Sequence, residues 1–149
     1  MIERPRFPVN VCVVLHRDGR WLLNIRADDA SYAPGAIGLV GGHVEVSDGP
    51  ERVLESAARR EVAEETGIDL SGIPLIYLES EAYPGSNGEL VLTVTYAAEL
   101  PAGTEPMPDN AVEPSELAWW TLEDLEADPR CAPWTSRLVR HAMAAIAVA

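Results

Sequence analysis

Apolar positions along this chain fall into short runs broken by turn-forming residues, with one longer stretch at helical spacing. Residues 9–16 are β-branched and apolar, Asp18-Gly19 follows as a turn, and 21–26 resume the run, a pattern that predicts a hairpin. Residues 27–35 are small, polar and proline-bearing and read as a loop. A short strand over 37–40 ends in Gly41-Gly42, with Val44 in continuation. Residues 50–66 have helix character, with Ser47 or Asp48 as N-cap, Pro50 in the first turn and Gly67 past the last. Strands are expected over 75–82 and 89–99, the second carrying the strand formers Thr93, Val94, Thr95 and Tyr96. Residues 100–114 hold four prolines and read as a long loop, of a length that often serves function. A strand over 116–121 contains Trp119 and Trp120, a helical turn starts near Asp124, and 134–148 form a final helix. With no repeat and no linker, the pattern predicts one domain over 1–149, of α/β class with a mixed sheet.

The helix over 50–66 changes character along one face. At 100° per residue from Val53, Leu54, Ala57 and Ala58 fall at about 100°, 40° and 140°, an apolar stripe. Arg52, Glu55, Ser56 and Arg59 lie opposite, between about 200° and 300°. Glu61, Glu64 and Glu65 then fall at about 80°, 20° and 120°, inside the apolar sector. Like charges at i, i+3 and i+4 cost roughly 0.2–0.5 kcal/mol per pair even in water. The negative end of the helix dipole and any desolvation add to that cost. A solvated acidic patch is the ordinary explanation of glutamates on a helix. Their phase against the stripe points instead to a hard divalent cation, which accepts several carboxylate oxygens at once.

Composition narrows the function. The net charge of −13, with no cluster of lysines or arginines, disfavours long nucleic acid and anionic membrane as partners. A small phosphorylated substrate remains compatible if a cation lies between the two sets of negative charge. Cys12 and Cys131 are far apart, Cys12 reads as a small core residue, and a reducing cytoplasm is the expected location. The N-terminus does not read as a signal peptide, and no run reaches the ~20 apolar residues of a membrane span.

The segment Arg60-Glu61-Val62-Ala63-Glu64-Glu65-Thr66-Gly67-Ile68 resembles the second half of the Nudix box at every specified position, and Gly41-Gly42-His43-Val44-Glu45 resembles its opening. Residues 21–26 and 113–125 are similar to the flanking strands of that family, so the likeness spans most of the chain. It implies a Nudix α/β/α sandwich and a magnesium-dependent hydrolase, manganese being a substitute. Glu64 and Glu65 would be the main metal ligands, with Glu61 a further ligand or the base that orients water. The Gly42 carbonyl would complete the site, and Arg60 would hold a carboxylate by an ion pair. The catalytic set is therefore Glu61, Glu64 and Arg60, and the metal set Gly42, Glu61, Glu64 and Glu65. The spacing departs from the family's: Asp48 stands at the position of the upstream box glutamate, and Arg60 comes four residues late. An insertion of about one helical turn accounts for this, and either Asp48 or Glu51 supplies the missing carboxylate, with Glu51 favoured. Val40 replaces a proline common among relatives.

The ending with Asn110, Glu113-Pro114 and Glu116 to Trp119 resembles the MutT-like branch, which implies cleavage of a nucleoside triphosphate to the monophosphate and pyrophosphate. Arg26, Asn110 and Trp119 are candidate substrate contacts, for a phosphate, a base edge and a stacked base respectively. Solvated-loop, strand-end and core roles compete for the same residues. The alternatives are ADP-ribose or nucleotide-sugar cleavage, for which Pro84 speaks weakly, and a silent nucleotide-binding module, against which the intact glutamates speak. The cysteine motif of isoprenoid diphosphate isomerases is missing. The partner is a small nucleotide-like molecule, and the chain is expected as monomer or homodimer.

Overall fold

Asp18 and Gly19 both take left-handed φ, 50° and 75°, which a two-residue hairpin turn needs. They fold β1 (Val9–Arg17) back on β2 (Arg20–Ile25), paired from Arg17↔Arg20 to Leu15↔Leu22. This computed structural model describes residues 2–30, 33–109 and 116–149. Beyond Leu22 the two strands part. Asn24 and Ile25 of β2 pair with β3 (Ile37–Gly38), while Asn10 to Val13 of β1 pair with β4 (Val40–His43). The other edge of β1 runs parallel to β6 (Leu90–Glu99), which pairs antiparallel with β5 (Ile76–Pro84). β7 (Glu116–Trp120) pairs with β2 and completes a seven-stranded, open mixed sheet.

Strand alternation divides the two faces. Val11, Val13 and Leu15 of β1, with Val94 and Tyr96 of β6, meet Ala57, Ala58 and Val62 of α1 (Val53–Thr66). On the other face, Val14, Leu23 and Ala97 meet Leu125 of α2 (Leu122–Ala127) and Leu138, Val139 and Ala142 of α3 (Pro133–Val148). The α/β/α sandwich is the expected one. Each fully buried valine or leucine side chain contributes roughly 1.5–3 kcal/mol. No helix among the described residues is long and apolar enough to cross a membrane.

The entry to α1 differs from expectation. The helix begins at Val53 rather than residue 50, and its N-cap Arg52 is left-handed at φ 49°. Ser47 and Asp48 belong to a separate 3-10 turn, Val46–Asp48, so residues 49–52 form a bend and not an added helical turn. The inserted residues leave the turn itself in place. Asp48, only 8% exposed, accepts the Glu45 N–H at 2.7 Å and receives Arg60 Nε at 2.8 Å and Nη2 at 3.0 Å. Glu51 is exposed on the bend, so Asp48 and not Glu51 faces the arginine.

At its other end α1 stops at Gly67, φ 73°, where a Cβ would lie 2.2 Å from the Met107 carbonyl oxygen. Met107 N–H in turn bonds Thr66 O at 2.7 Å. The described part of the long loop is thus fastened across the end of α1, and Arg17 ties it again through Thr104 O and Glu105.

The bidentate pair yields a stability prediction. The Arg60 guanidinium beside Asp48 holds its carboxyl below the ordinary carboxylate value, against the opposing effect of burial. Asp48→Asn removes the charge-assisted pair and lowers stability by about 2 kcal/mol at neutral pH. Because the folded-state value is depressed, the advantage of wild type is complete above about pH 4 and shrinks below it. Urea unfolding of both proteins at pH 7 and at pH 3 measures this, and an equal difference at the two values contradicts it.

Candidate functional site

β4 lies against β1 without side chains at two successive positions. A Cβ on Gly41 would sit 2.1 Å from the Val11 carbonyl oxygen, closer than a side chain can come to backbone. A Cβ on Gly42 would meet the Glu61 carboxyl group at 2.5 Å. Glycine at 41 allows the strand to pair, and glycine at 42 makes room for a carboxylate against the strand. Glu65 Oε2 accepts the Gly41 N–H from the same helix at 3.4 Å.

The acidic end of α1 is only partly as its periodicity implied. Glu61 and Glu65 are buried, at 7% and 5% exposed, whereas the Glu64 side chain is 44% exposed. Val62 and Thr66 are fully buried, so the inward sector is centred near 130° and Glu64, at about 20°, falls on its rim. Arg60 stands between them: Nη1 donates to Glu61 Oε1 at 2.9 Å and to Glu64 Oε2 at 3.2 Å. Its Nη2 also donates to His43 O at 2.8 Å, which ties α1 to the end of β4. The hydrogen bonds to Asp48 and then to Glu61 raise the Arg60 pKa further above its ordinary value, against the opposing effect of burial, so the side chain stays charged. Among the described residues no group of three or more His, Cys, Asp or Glu side chains is gathered as a ready metal cage.

The residues nevertheless fit a hard cation. The two buried carboxylates offer oxygen ligands only, and Glu61 occupies the space opened at Gly42. Cys12 lies near enough to feel both carboxylates; burial, then Glu65 and Glu61, push its thiol up to about 12. Without a cation it remains protonated and is not a nucleophile.

A cleft of about 480 Å³ opens at this end, lined by Glu65, Gly41, Gly42 and His43 and continuing past Asn10, Asn24 and Arg26. It adjoins a second cavity of about 210 Å³ beneath α3, and Cys12, Arg26, Leu39 and Tyr83 line both. Of the residues singled out from sequence, Arg26, Gly42 and Glu65 border the cleft, and Arg60, Glu61 and Glu64 stand along the helix beside it. Trp119 lines neither cavity: the Arg17 guanidinium covers its ring at 4.0 Å, and its Nε1 donates to Glu105 at 3.4 Å. Asn110 lies outside the described residues. Sequence reading passed over Asn10, Asn24 and Tyr83, which line the cleft. The available signal was polar residues at the alternate positions of otherwise apolar strands.

Similar proteins are known for both the sequence and the fold. The chain is 38% identical over 87 residues to the nucleoside triphosphatase NudI of Escherichia coli, covering 58% of this chain and 54% of that one. It is 29% identical over 130 residues to the NAD-capped RNA hydrolase NudC of Chromobacterium violaceum, covering 87% of this chain and 44% of that protein. It therefore spans about half the length of the curated relatives it matches. The crystal structure of a MutT NUDIX hydrolase from Burkholderia pseudomallei superposes with a TM-score of 0.70 at 30% identity, over 92% of this chain and 98% of that one. The NUDIX domain of Shewanella oneidensis NrtR complexed with ADP ribose shares the fold, with a TM-score of 0.75 at 21% identity over 96% and 90% of the two chains. The NUDIX domain family model matches residues 6–142, and on that extent, with the glutamate helix set beside the paired glycines, the chain belongs to the NUDIX domain family.

Proposed function

We propose that this chain is a hydrolase that cuts the diphosphate linkage of a nucleoside triphosphate-like substrate, releasing the monophosphate and pyrophosphate with magnesium as cofactor. The observation that carries the reading is the burial of Glu61 and Glu65 against the side-chain-free Gly41-Gly42 strand, at the end of a cleft large enough for a small nucleotide. The similarity to a nucleoside triphosphatase supports the substrate class. The acidic net charge of −13 argues against a polymeric nucleic acid.

In this reading Glu61, Glu64, Glu65 and the Gly42 carbonyl would hold the cation, with manganese a substitute. A hard divalent cation bound there supplies charge neutralisation for the phosphate oxygens and a more acidic water. Arg60 fixes two of the three carboxylates through one nitrogen, and Asp48 fixes Arg60, so the acids keep their relative positions without meeting. A carboxylate in the set takes the proton of the attacking water. Arg26 lines both cavities, which supports a role in pairing with a substrate phosphate.

A panel of nucleoside triphosphates, ADP-ribose, nucleotide sugars and dinucleoside polyphosphates, with and without magnesium, tests the substrate. Pyrophosphate release from triphosphates alone supports the proposal. Two monophosphate products from ADP-ribose transfer the assignment to that alternative, and cleavage of nothing leaves a binding module. Because Glu64 is exposed, Glu64→Gln should keep the fold and lose about 10²–10⁴-fold in turnover. Gly42→Ala strikes first the end of the Glu61 side chain and not backbone, so it should fold and bind metal roughly 10–100-fold more weakly. Gly41→Ala strikes the Val11 backbone and should lower the melting temperature as well. Circular dichroism melts and metal titrations separate the two glycine variants, and identical behaviour contradicts this reading of the strand.

A further inference from the structure

The sheet face beneath α3 is apolar in one half and polar in the other. Val14, Ala97, Leu23 and Leu78 lie under the helix. On the same strand faces the alternation then delivers Asn10 and Cys12 on β1, Thr93 and Thr95 on β6, and Glu79 and Glu81 on β5. Strand register sets these side by side: Asn10 opposite Thr93, and Thr93 opposite Glu81, make one row across three strands. Asn10 borders the cleft, while Thr93 and Glu81 border the adjoining cavity, whose rim carries Trp134.

Two atoms in this row lack what burial demands. Asn10 Oδ1 and Thr93 Oγ1 are shut off from solvent and have no hydrogen-bond partner. Buried polar groups are almost always paired, so neighbouring unpaired atoms in residues that line the cleft and the cavity indicate a place where a ligand completes the pairing. Completing it requires each side chain to turn its polar atom toward the cavity. Glu81, acceptor only, ends the row at the mouth, where Arg137 holds it at 3.0 Å and holds Glu79 as well. The row thus offers two acceptors and a hydroxyl to something flat enough to enter a cavity of about 210 Å³ from the phosphate cleft.

We propose that Asn10 and Thr93 are specificity-determining residues that read the hydrogen-bonding edge of the substrate's nucleobase, with Glu81 favouring a base that carries an exocyclic amino group. The inference rests on the hydrolase reading for the direction of the ligand, whose phosphates point to Glu65 and whose base lies under α3. It assigns no step of the reaction to these residues.

The test is equilibrium binding, separate from turnover. Calorimetry with magnesium present compares adenosine, cytidine and uridine monophosphates with ribose 5-phosphate, on wild type, Asn10→Leu and Thr93→Val. Wild type should bind an amino-bearing nucleotide about tenfold or more tighter than ribose 5-phosphate and tighter than the uridine nucleotide. Either variant should reduce that advantage to about twofold or less while melting no lower than wild type, since each replaces an unpaired polar group with an apolar one of similar size. The proposal is overturned if wild type shows no preference for a base, including the case in which nothing binds at millimolar concentration. It is equally overturned if uracil is bound as tightly as the others, or if the variants keep the preference and lose stability, which would mark the two groups as water-bound structure. Base-selective binding with no phosphate release from any nucleotide would sink the hydrolase reading alone; turnover with base-blind binding would sink this inference alone.

Discussion

Two carboxylates, Glu61 and Glu65, are buried on the same helix face that packs Ala57, Ala58 and Val62 into the core, and the surrounding structure is arranged about that cost. A buried carboxylate without compensation is expensive, and two on one face repel each other as well. The protein answers with backbone and with one arginine. Gly41 presents its N–H to Glu65, the missing side chain of Gly42 gives Glu61 room beside the strand, and Arg60 joins Glu61 to Glu64 and to Asp48. The guanidinium is itself shared among several acids, so the set remains net negative. That remaining charge is what a divalent cation would match.

The fold serves this end by opening the sheet where the chemistry lies. β1 and β2 part after their hairpin, and the chain from β3 to β4 pairs first with one and then with the other. The parting leaves the cleft between the glutamate-bearing end of α1 and the polar half of the α3-side face. α3 covers only the apolar half, through Leu138, Val139 and Ala142. Placement of ligand space thus follows from which alternate residues are apolar and which are not.

What the sequence made legible were features decided within a few residues. Asp18-Gly19 announced the hairpin because both positions must take left-handed φ, and Gly67 announced the end of α1 for the same reason. Phase gathered Glu61, Glu64 and Glu65 toward one face, and Glu61 and Glu65 are buried there. Features decided by distant contacts were not legible. Pro50 looked like a first helical turn, yet the residues from Gly49 to Arg52 bend so that Asp48 can reach Arg60 on the far side of the insertion. Val62 and Thr66 shifted the buried sector and left Glu64 on its rim. Trp119 looked free to stack on a base, but Arg17, from another strand, lies over it. Asn10 and Thr93 become neighbours only through the parallel pairing of β1 with β6, which no local pattern discloses.

Burying Glu61 and Glu65 carries a cost that a bound divalent cation would remove. Thermal unfolding with and without magnesium measures it directly, on wild type and on Glu61→Gln and Glu65→Gln. A ligand at about a hundred times its dissociation constant adds about 2.7 kcal/mol to stability, roughly 5–10 °C for a domain of this size. Wild type should show that rise, and magnesium should add little to the melting temperature of either variant. Equal magnesium shifts in all three proteins, or none in wild type, would contradict it.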